Sequence, residues 1–448
     1  MSDASMAGPS RIRNARLPRW LLPATWPMED GAPLLASLAL ADGRIETVTP
    51  MDALTGDTRA QEAAGTSWDV GGRPVLPGLM DAHTHLDKTF TLPRISGLKP
   101  GLLGAIDAMM QDRLKWTAAD VHLRAGRALE WAYQAGCVHV RSHVDWWEAD
   151  ATPVAWNVLA ELAAEWHGRV HLEQVSLIKL PLFRDLAQAH RLARQVKATG
   201  SQSVLGAFIH TVNWDPQALR NIFIAAEEAG LDVDLHVDEE LDPRAQGLAA
   251  TARIVQELRF GGRVVCGHAC ALAVQPDDQA LATLDAVAQA PITLISLPIT
   301  NLLLQDANTG RTPRQRGLTL VNEARARGIP VLLASDNVQD PFCRVGSYDP
   351  VEALAAGVLA AQLDEPFDRW SDSLCRRDWL QRAPLTTPSL TGAPADLVIF
   401  SDADAWGWPS RAARRVVLRG GIPLAAPQQK DFSLTPRHLS SLSERLVT

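Results

Sequence analysis

Eight short runs of apolar and β-branched residues recur through the middle of the chain, and alanine-rich stretches of helical character separate them. The runs end near His83, His143, Ile178, His210, His236, His268, Ile295 and Asp336. The stretches between them include Arg124 to Ala135, Val154 to Trp166, Ala187 to Ala198, Pro216 to Ala229 and Leu318 to Arg327. Eight βα units predict an α/β chain closed into a (β/α)8 TIM-like barrel. A doubly wound sheet competes, but the glycine-rich phosphate turn that typically follows its first strand is missing. No repeat or low-complexity tract appears, which argues against a solenoid.

The two ends read differently. Leu34 to Leu40 and Arg44 to Val48 are strand-like runs joined by Asp42-Gly43, a hairpin-type turn. Near the other end, Ala395 to Phe400 and Arg415 to Gly421 are again apolar runs bounded by turn residues. The middle of the chain is thus flanked by two β-rich segments.

Composition narrows the partners. With 448 residues, 46% hydrophobic and 21% charged, the chain can bury a large core. Acidic residues outnumber basic ones by 51 to 43, for a formal charge of -8, which argues against a general nucleic-acid or anionic-membrane binder. The five cysteines, Cys137, Cys266, Cys270, Cys343 and Cys375, form no CxxC pair or regular framework, so a reducing compartment is expected. The first residues lack a signal-peptide core, and no run reaches the ~18 apolar residues of a membrane span. The expectation is a cytoplasmic enzyme that acts on a small molecule and forms a homo-oligomer.

Five of the twelve histidines, His83, His143, His210, His236 and His268, fall at the ends of different predicted strands. The C-terminal face of a barrel holds the active site, so these side chains are expected to converge although they are distant in sequence. His83 and His85 are two apart on the first strand and so point the same way, able to reach one ion. In Leu235-His236-Val237-Asp238-Glu239, His236 offers a third nitrogen, and Glu239 follows just past the strand end. In Leu332-Leu333-Ala334-Ser335-Asp336-Asn337 an apolar run ends in a carboxylate that can complete a nitrogen and oxygen ligand set. His268, between Cys266 and Cys270, can ligate or can hold a water by a hydrogen bond. The cysteines lack the spacing of a zinc ribbon or finger and read as small buried residues.

With these motifs in view, the sequence resembles the amidohydrolase superfamily and, within it, the bacterial cytosine deaminase branch. The resemblance rests on PGLMDAHTHLDK at 77 to 88, RSHVDW at 141 to 146, LHVDE at 235 to 239, GHACAL at 267 to 272, SLPITNLLLQ at 296 to 305, TPRQRGLT at 312 to 319 and ASDNVQDPF at 334 to 342. It implies that His83, His85, His236 and Asp336 bind one divalent metal, Zn2+ or Fe2+. Glu239 would be the proton shuttle, His268 would position the nucleophilic water, and Asp336 would accept that water's proton. It further implies a small β-sandwich built from both chain ends, with residues 1–75 and 385–448 around a catalytic barrel at 76–384. The lysine that bridges two metals in related hydrolases lies on the fourth strand, which here ends in Phe208-Ile209-His210, so a single metal is favoured.

Specificity is where the sequence departs from that branch. A glutamine after the third strand reads the pyrimidine edge in cytosine deaminase, and Lys179 stands at the aligned place. An ammonium only donates, so Lys179 would suit a ring carbonyl or carboxylate, with Arg344 as a second positive group. Both also read as solvated surface cations. Trp146, with Trp147 and Trp214 as further candidates, could stack on a flat heterocycle. Asn337, which replaces a second aspartate, and Phe342 sit in the eighth-strand loop where the family contacts substrate. The activity expected is deamination of a small nitrogen heterocycle: a pyrimidine, pterin, triazine or creatinine-like ring. The alternative is hydrolysis of an N-alkylamino substituent or a cyclic amide.

Overall fold

The computed structural model of the chain describes residues 8–51, 66–200, 202–381 and 388–425. Leu79–Thr84 (β1), Cys137–Trp146 (β2), His171–Lys179 (β3), Val204–Ile209 (β4), Val233–Val237 (β5), Val264–His268 (β6), Ile292–Ser296 (β7) and Val331–Leu333 (β8) pair side by side in that order. Every pairing is parallel. A single parallel bridge between Thr84 and Asp336 closes the ring, with the Asp336 amide donating to the His83 carbonyl at 2.8 Å. The eighth strand is thus shorter than its sequence suggests, and Asp336 adopts a positive φ of 61° just beyond it. The result is the (β/α)8 barrel expected from the alternation of runs.

The helices form where their end signals stand. Asp215 accepts the amides of Gln217 and Ala218 and Pro216 opens Pro216–Ala229, so cap and first turn follow from three consecutive residues. Thr117 caps Ala118–Ala135 by accepting the Asp120 amide, which starts this helix six residues ahead of the expected Arg124. Gly136 ends it at φ 102°, and a Cβ there would lie 2.5 Å from Val398 Cγ2. Only glycine allows both that backbone turn and the close approach of the C-terminal strand.

Both chain ends build a second layer. Ala36–Ala41 and Arg44–Pro50 pair antiparallel across Asp42 and Gly43, whose φ values of 49° and 73° are those a two-residue hairpin turn requires. They share a four-stranded sheet with Arg11–Ala15 and Ser67–Asp69. Val75–Pro77, Leu397–Ile399, Val416–Arg419 and Ile422–Pro423 make the other four-stranded sheet. Ile12, Leu38, Ile45, Val75, Leu397 and Leu418 pack together between the two. The expected boundary between residues 384 and 385 lies outside the described residues. Among the described residues, no helix is long and apolar enough to cross a membrane.

Candidate metal centre and active-site cavity

Strand alternation aims His83 and His85 into the mouth of the barrel, where His236 from β5 and Asp336 from beyond β8 meet them. His236 Nε2 lies 3.1 Å from the Nε2 of His83 and 3.1 Å from the Nε2 of His85. Asp336 Oδ1 lies 3.4 Å from His83 Nε2 and 3.1 Å from His85 Nε2. Ligand bonds of about 2.0–2.2 Å to one ion place neighbouring donors roughly 3.0–3.5 Å apart, so the four fit a shared divalent cation. Both Asp336 carboxylate oxygens are buried without a hydrogen-bond partner, as befits oxygens reserved for an ion and a water.

The protonation states suit ligation. Burial pushes His85 down to about 4 and His236 well below the usual imidazole range, so both rings are neutral donors. Burial opposes ionisation of Asp336, but the imidazoles of His83 and His85 overcome it and hold the carboxyl well below its ordinary value. Glu239 behaves in the opposite sense. Burial, reinforced by the nearby Asp336 carboxylate, raises its pKa well above normal, which favours its protonated form.

His268 stands beside this set rather than within the tightest part of it. Its Nδ1 lies 3.4 Å from Glu239 Oε1 and 3.1 Å from Asn301 Nδ2, and its Nε2 is buried without a partner. His143 stacks on His83 with ring centres 3.8 Å apart. Four of the five strand-end histidines therefore gather, and His210 does not. Its Nδ1 accepts the Val212 amide and faces Glu240 Oε2 at 3.3 Å, so it serves the loop after β4.

A cavity opens above the four ligand candidates, bounded by His85, His236, Glu239, His268 and Asp336 at its base. Lys179, Asn337 and Phe342 line it, as their loop positions suggested. Asn337 Nδ2 donates to Asp340 Oδ2 at 2.6 Å, which leaves its carbonyl oxygen available. Trp146 requires a correction. It is fully buried in the shell outside β2, edge-on to Trp156 at 5.3 Å, and Trp147 lines the cavity instead. The reason is parity: His143, Asp145 and Trp147 share one face of the strand, while Val144 and Trp146 take the other. Trp214 is not part of the lining, and Arg344 is exposed and does not face the cavity.

Two contributors escaped the sequence reading. Lys88, five residues beyond His83 in the first motif, lines the cavity with its Nζ 2.7 Å from Asp145 Oδ1. Burial disfavours its charge, yet Asp145 and Asp87 raise its pKa above the usual lysine value, so a permanent cation faces the substrate space. The helix Leu102–Asp112 supplies an apolar wall through Leu102, Ile106 and Met109. Its spacing of apolar residues was legible in the sequence, but nothing local says that it folds over this mouth.

Comparison with known proteins agrees with this geometry. The model of the Amidohydrolase family matches residues 105–382. A pterin deaminase of Rhizobium rhizogenes is 35% identical over 456 aligned residues, covering 96% of this chain and 99% of that protein. An N-isopropylammelide isopropyl amidohydrolase of a Pseudomonas species is 27% identical, covering 79% of this chain and 86% of its own length. Among solved structures, 5-methylcytosine deaminase from Klebsiella pneumoniae with 5-fluorocytosine superposes with a TM-score of 0.76 at 24% identity, over 93% of this chain and 98% of that one.

Proposed function

The chain belongs to the amidohydrolase family, whose members hydrolyse carbon–nitrogen bonds, and on that premise we propose that it deaminates an amino-substituted nitrogen heterocycle with release of ammonia. The observation that carries this reading is the meeting of three imidazole Nε2 atoms and Asp336 beneath a cavity that Glu239 lines. Among ring classes a pterin fits best. It presents an amino-bearing ring carbon together with a ring carbonyl for Lys179, and the relative at 35% identity bears the name pterin deaminase.

His83, His85, His236 and Asp336 would hold one divalent ion, zinc or iron. When bound, the ion supplies the positive charge that makes water acidic enough to attack at neutral pH. His268 Nε2 orients the attacking water, and an Asp336 oxygen takes its first proton as the new carbon–oxygen bond forms. Glu239 gives its proton to the ring nitrogen beside the carbon under attack. Asp336 then passes its proton to the amino nitrogen, the carbon–nitrogen bond breaks, and ammonia leaves. Glu239 recovers a proton from the added hydroxyl as the ring carbonyl forms. Lys179, Asn337, Phe342 and Trp147 orient the ring.

A second reading draws on the apolar wall of Leu102, Ile106 and Met109, which would suit an N-alkylamino leaving group. Product analysis separates the two, since one releases ammonia and the other an alkylamine. The five cysteines, all free, support a cytoplasmic setting, and a homo-oligomeric state belongs to the same proposal. The decisive test is ammonia release across a panel of amino-heterocycles by the native chain and Glu239→Gln. The variant is expected to keep its metal and lose about 10²–10⁴ in kcat. Undiminished turnover by Glu239→Gln would remove the proton shuttle.

A further inference from the structure

At the end of the barrel away from this cavity, His139 on β2 stands directly across from His171 on β3, and Glu173 lies two residues further along the same face of β3. His139 Nε2 is 3.2 Å from Glu173 Oε2, and His171 Nε2 is 3.6 Å from Glu173 Oε1. The two rings are 4.9 Å apart and nearly perpendicular, at 68°. The donor atoms of all three residues lie within 4.8 Å of one another, close enough to converge on one ion.

A second observation points to a ligand. His139 is completely buried, its Nδ1 has no hydrogen-bond partner, and its Nε2 faces the Glu173 carboxylate without the geometry of a hydrogen bond. A buried imidazole left in that state calls for something to complete it. Burial lowers its pKa, so the ring is a neutral donor. Burial opposes the charge of Glu173, but Arg141 outweighs it and keeps the carboxylate ionised. Arg141 Nε occupies Oε2 at 2.7 Å and leaves Oε1 for an incoming cation. Access is open, because the His171 side chain is 43% exposed and borders a polar cleft of about 420 Å3 that also includes Lys197, Ser203 and Gln381.

We propose that His139, His171 and Glu173 form a second divalent-cation site at the N-terminal end of the barrel, with zinc as the ion and water completing its coordination. Two imidazoles and one carboxylate are a donor set that zinc accepts, and the exposed edge leaves room for water. The site is separate from the catalytic one. Between them Arg141 also donates to Asp234 Oδ2 at 2.9 Å, and Asp234 Oδ2 lies 3.8 Å from the His143 Nε2. The guanidinium in that column bars one ion from serving both ends.

The test counts metal. Holoenzyme carrying its catalytic ion is equilibrated with buffered zinc, freed of unbound metal, and analysed by inductively coupled plasma mass spectrometry. The native chain is expected to hold one equivalent more than His171→Ala. Asp336→Asn, which removes a ligand of the other centre, is expected to keep the equivalent that His171→Ala loses. Because His171 is partly exposed, its replacement leaves the fold intact, and circular dichroism of both variants verifies this. Equal metal content in the native and His171→Ala proteins overturns the proposal, whatever the common value.

Discussion

The ammonium of Lys179 lies 4.1 Å from the centre of the Trp147 ring, and the two side chains together form one wall of the cavity over the candidate metal centre. A cation held against an aromatic face is oriented without being neutralised, so it can still donate to a substrate oxygen. Replacing it should therefore act on binding. A hydrogen bond from a charged donor is worth about 1.5–3 kcal/mol, so Lys179→Met is expected to raise KM roughly 10–100-fold with a smaller change in kcat.

The same lysine predicts a pH dependence. Burial, and next the nearby Arg113, lower its pKa from the ordinary lysine value, against the opposing pull of Glu148 and Asp145. The charge is present below that pKa and lost above it. KM of the native enzyme should thus stay level near neutrality and rise in the alkaline range sooner than a solvent-exposed lysine would dictate. The rise should vanish in Lys179→Met, and profiles of KM against pH for the two proteins check it. Parallel profiles would separate Lys179 from substrate binding.

Trp146 and Trp147 are adjacent in sequence and opposite in consequence. Trp146 fills the core between β2 and Val154–Glu165, so Trp146→Ala should cost about 3–5 kcal/mol of stability, read from denaturant unfolding. Trp147→Ala should leave stability within about 1 kcal/mol and raise KM instead.

Removal of the ion should reveal how far the ligand set depends on it. Three imidazoles and a carboxylate crowd together at 3.1–3.4 Å, and among the described residues the Nδ1 atoms of His83, His85 and His236 and both oxygens of Asp336 have no hydrogen-bond partner. Chelation should abolish turnover and lower Tm. Restoring zinc or iron to about 100 times its Kd should recover about 2.7 kcal/mol, measured by thermal unfolding. In Asp336→Asn the same addition should recover much less.

Acid stability should depend on Asp120. Burial alone would raise its pKa, but hydrogen bonds from Arg94 and Arg124 hold it down at about 2, below the usual 3.8. A carboxyl with a depressed folded-state pKa stabilises the fold above its unfolded pKa, and that contribution fades as pH falls through the folded value. The Tm difference between native and Asp120→Asn proteins should be constant above about pH 5 and shrink between about pH 4 and 2. A difference that does not change with pH would assign Asp120 a purely steric role.

How much of this was legible depended on the reach of each signal. Hairpins, caps and strand alternation act over two to four residues, so Asp42-Gly43, the Asp215-Pro216 helix start and the common direction of His83 and His85 could be read directly. Parity along β2 could equally have separated Trp147 from Trp146, since His143 had already marked the inward face. Lys88 carried a weaker signal, because a lysine in a loop is ordinarily solvated and the buried Asp145 and Asp87 explain why this one is not.

The order of apolar runs and helices, together with histidines at the ends of those runs, determined from the sequence alone a barrel whose mouth gathers histidines. Only the tertiary structure decided that His210 turns away to Glu240, that Leu102–Asp112 walls the cavity, and that His139, His171 and Glu173 meet at the far end. The first kind of feature follows from periodicity and local hydrogen bonding, which every chain carries in its order of residues. The second depends on which strands become neighbours when the ring closes and on how each loop satisfies its own polar groups. Those are distances between residues far apart in the chain, and they come into being only on folding.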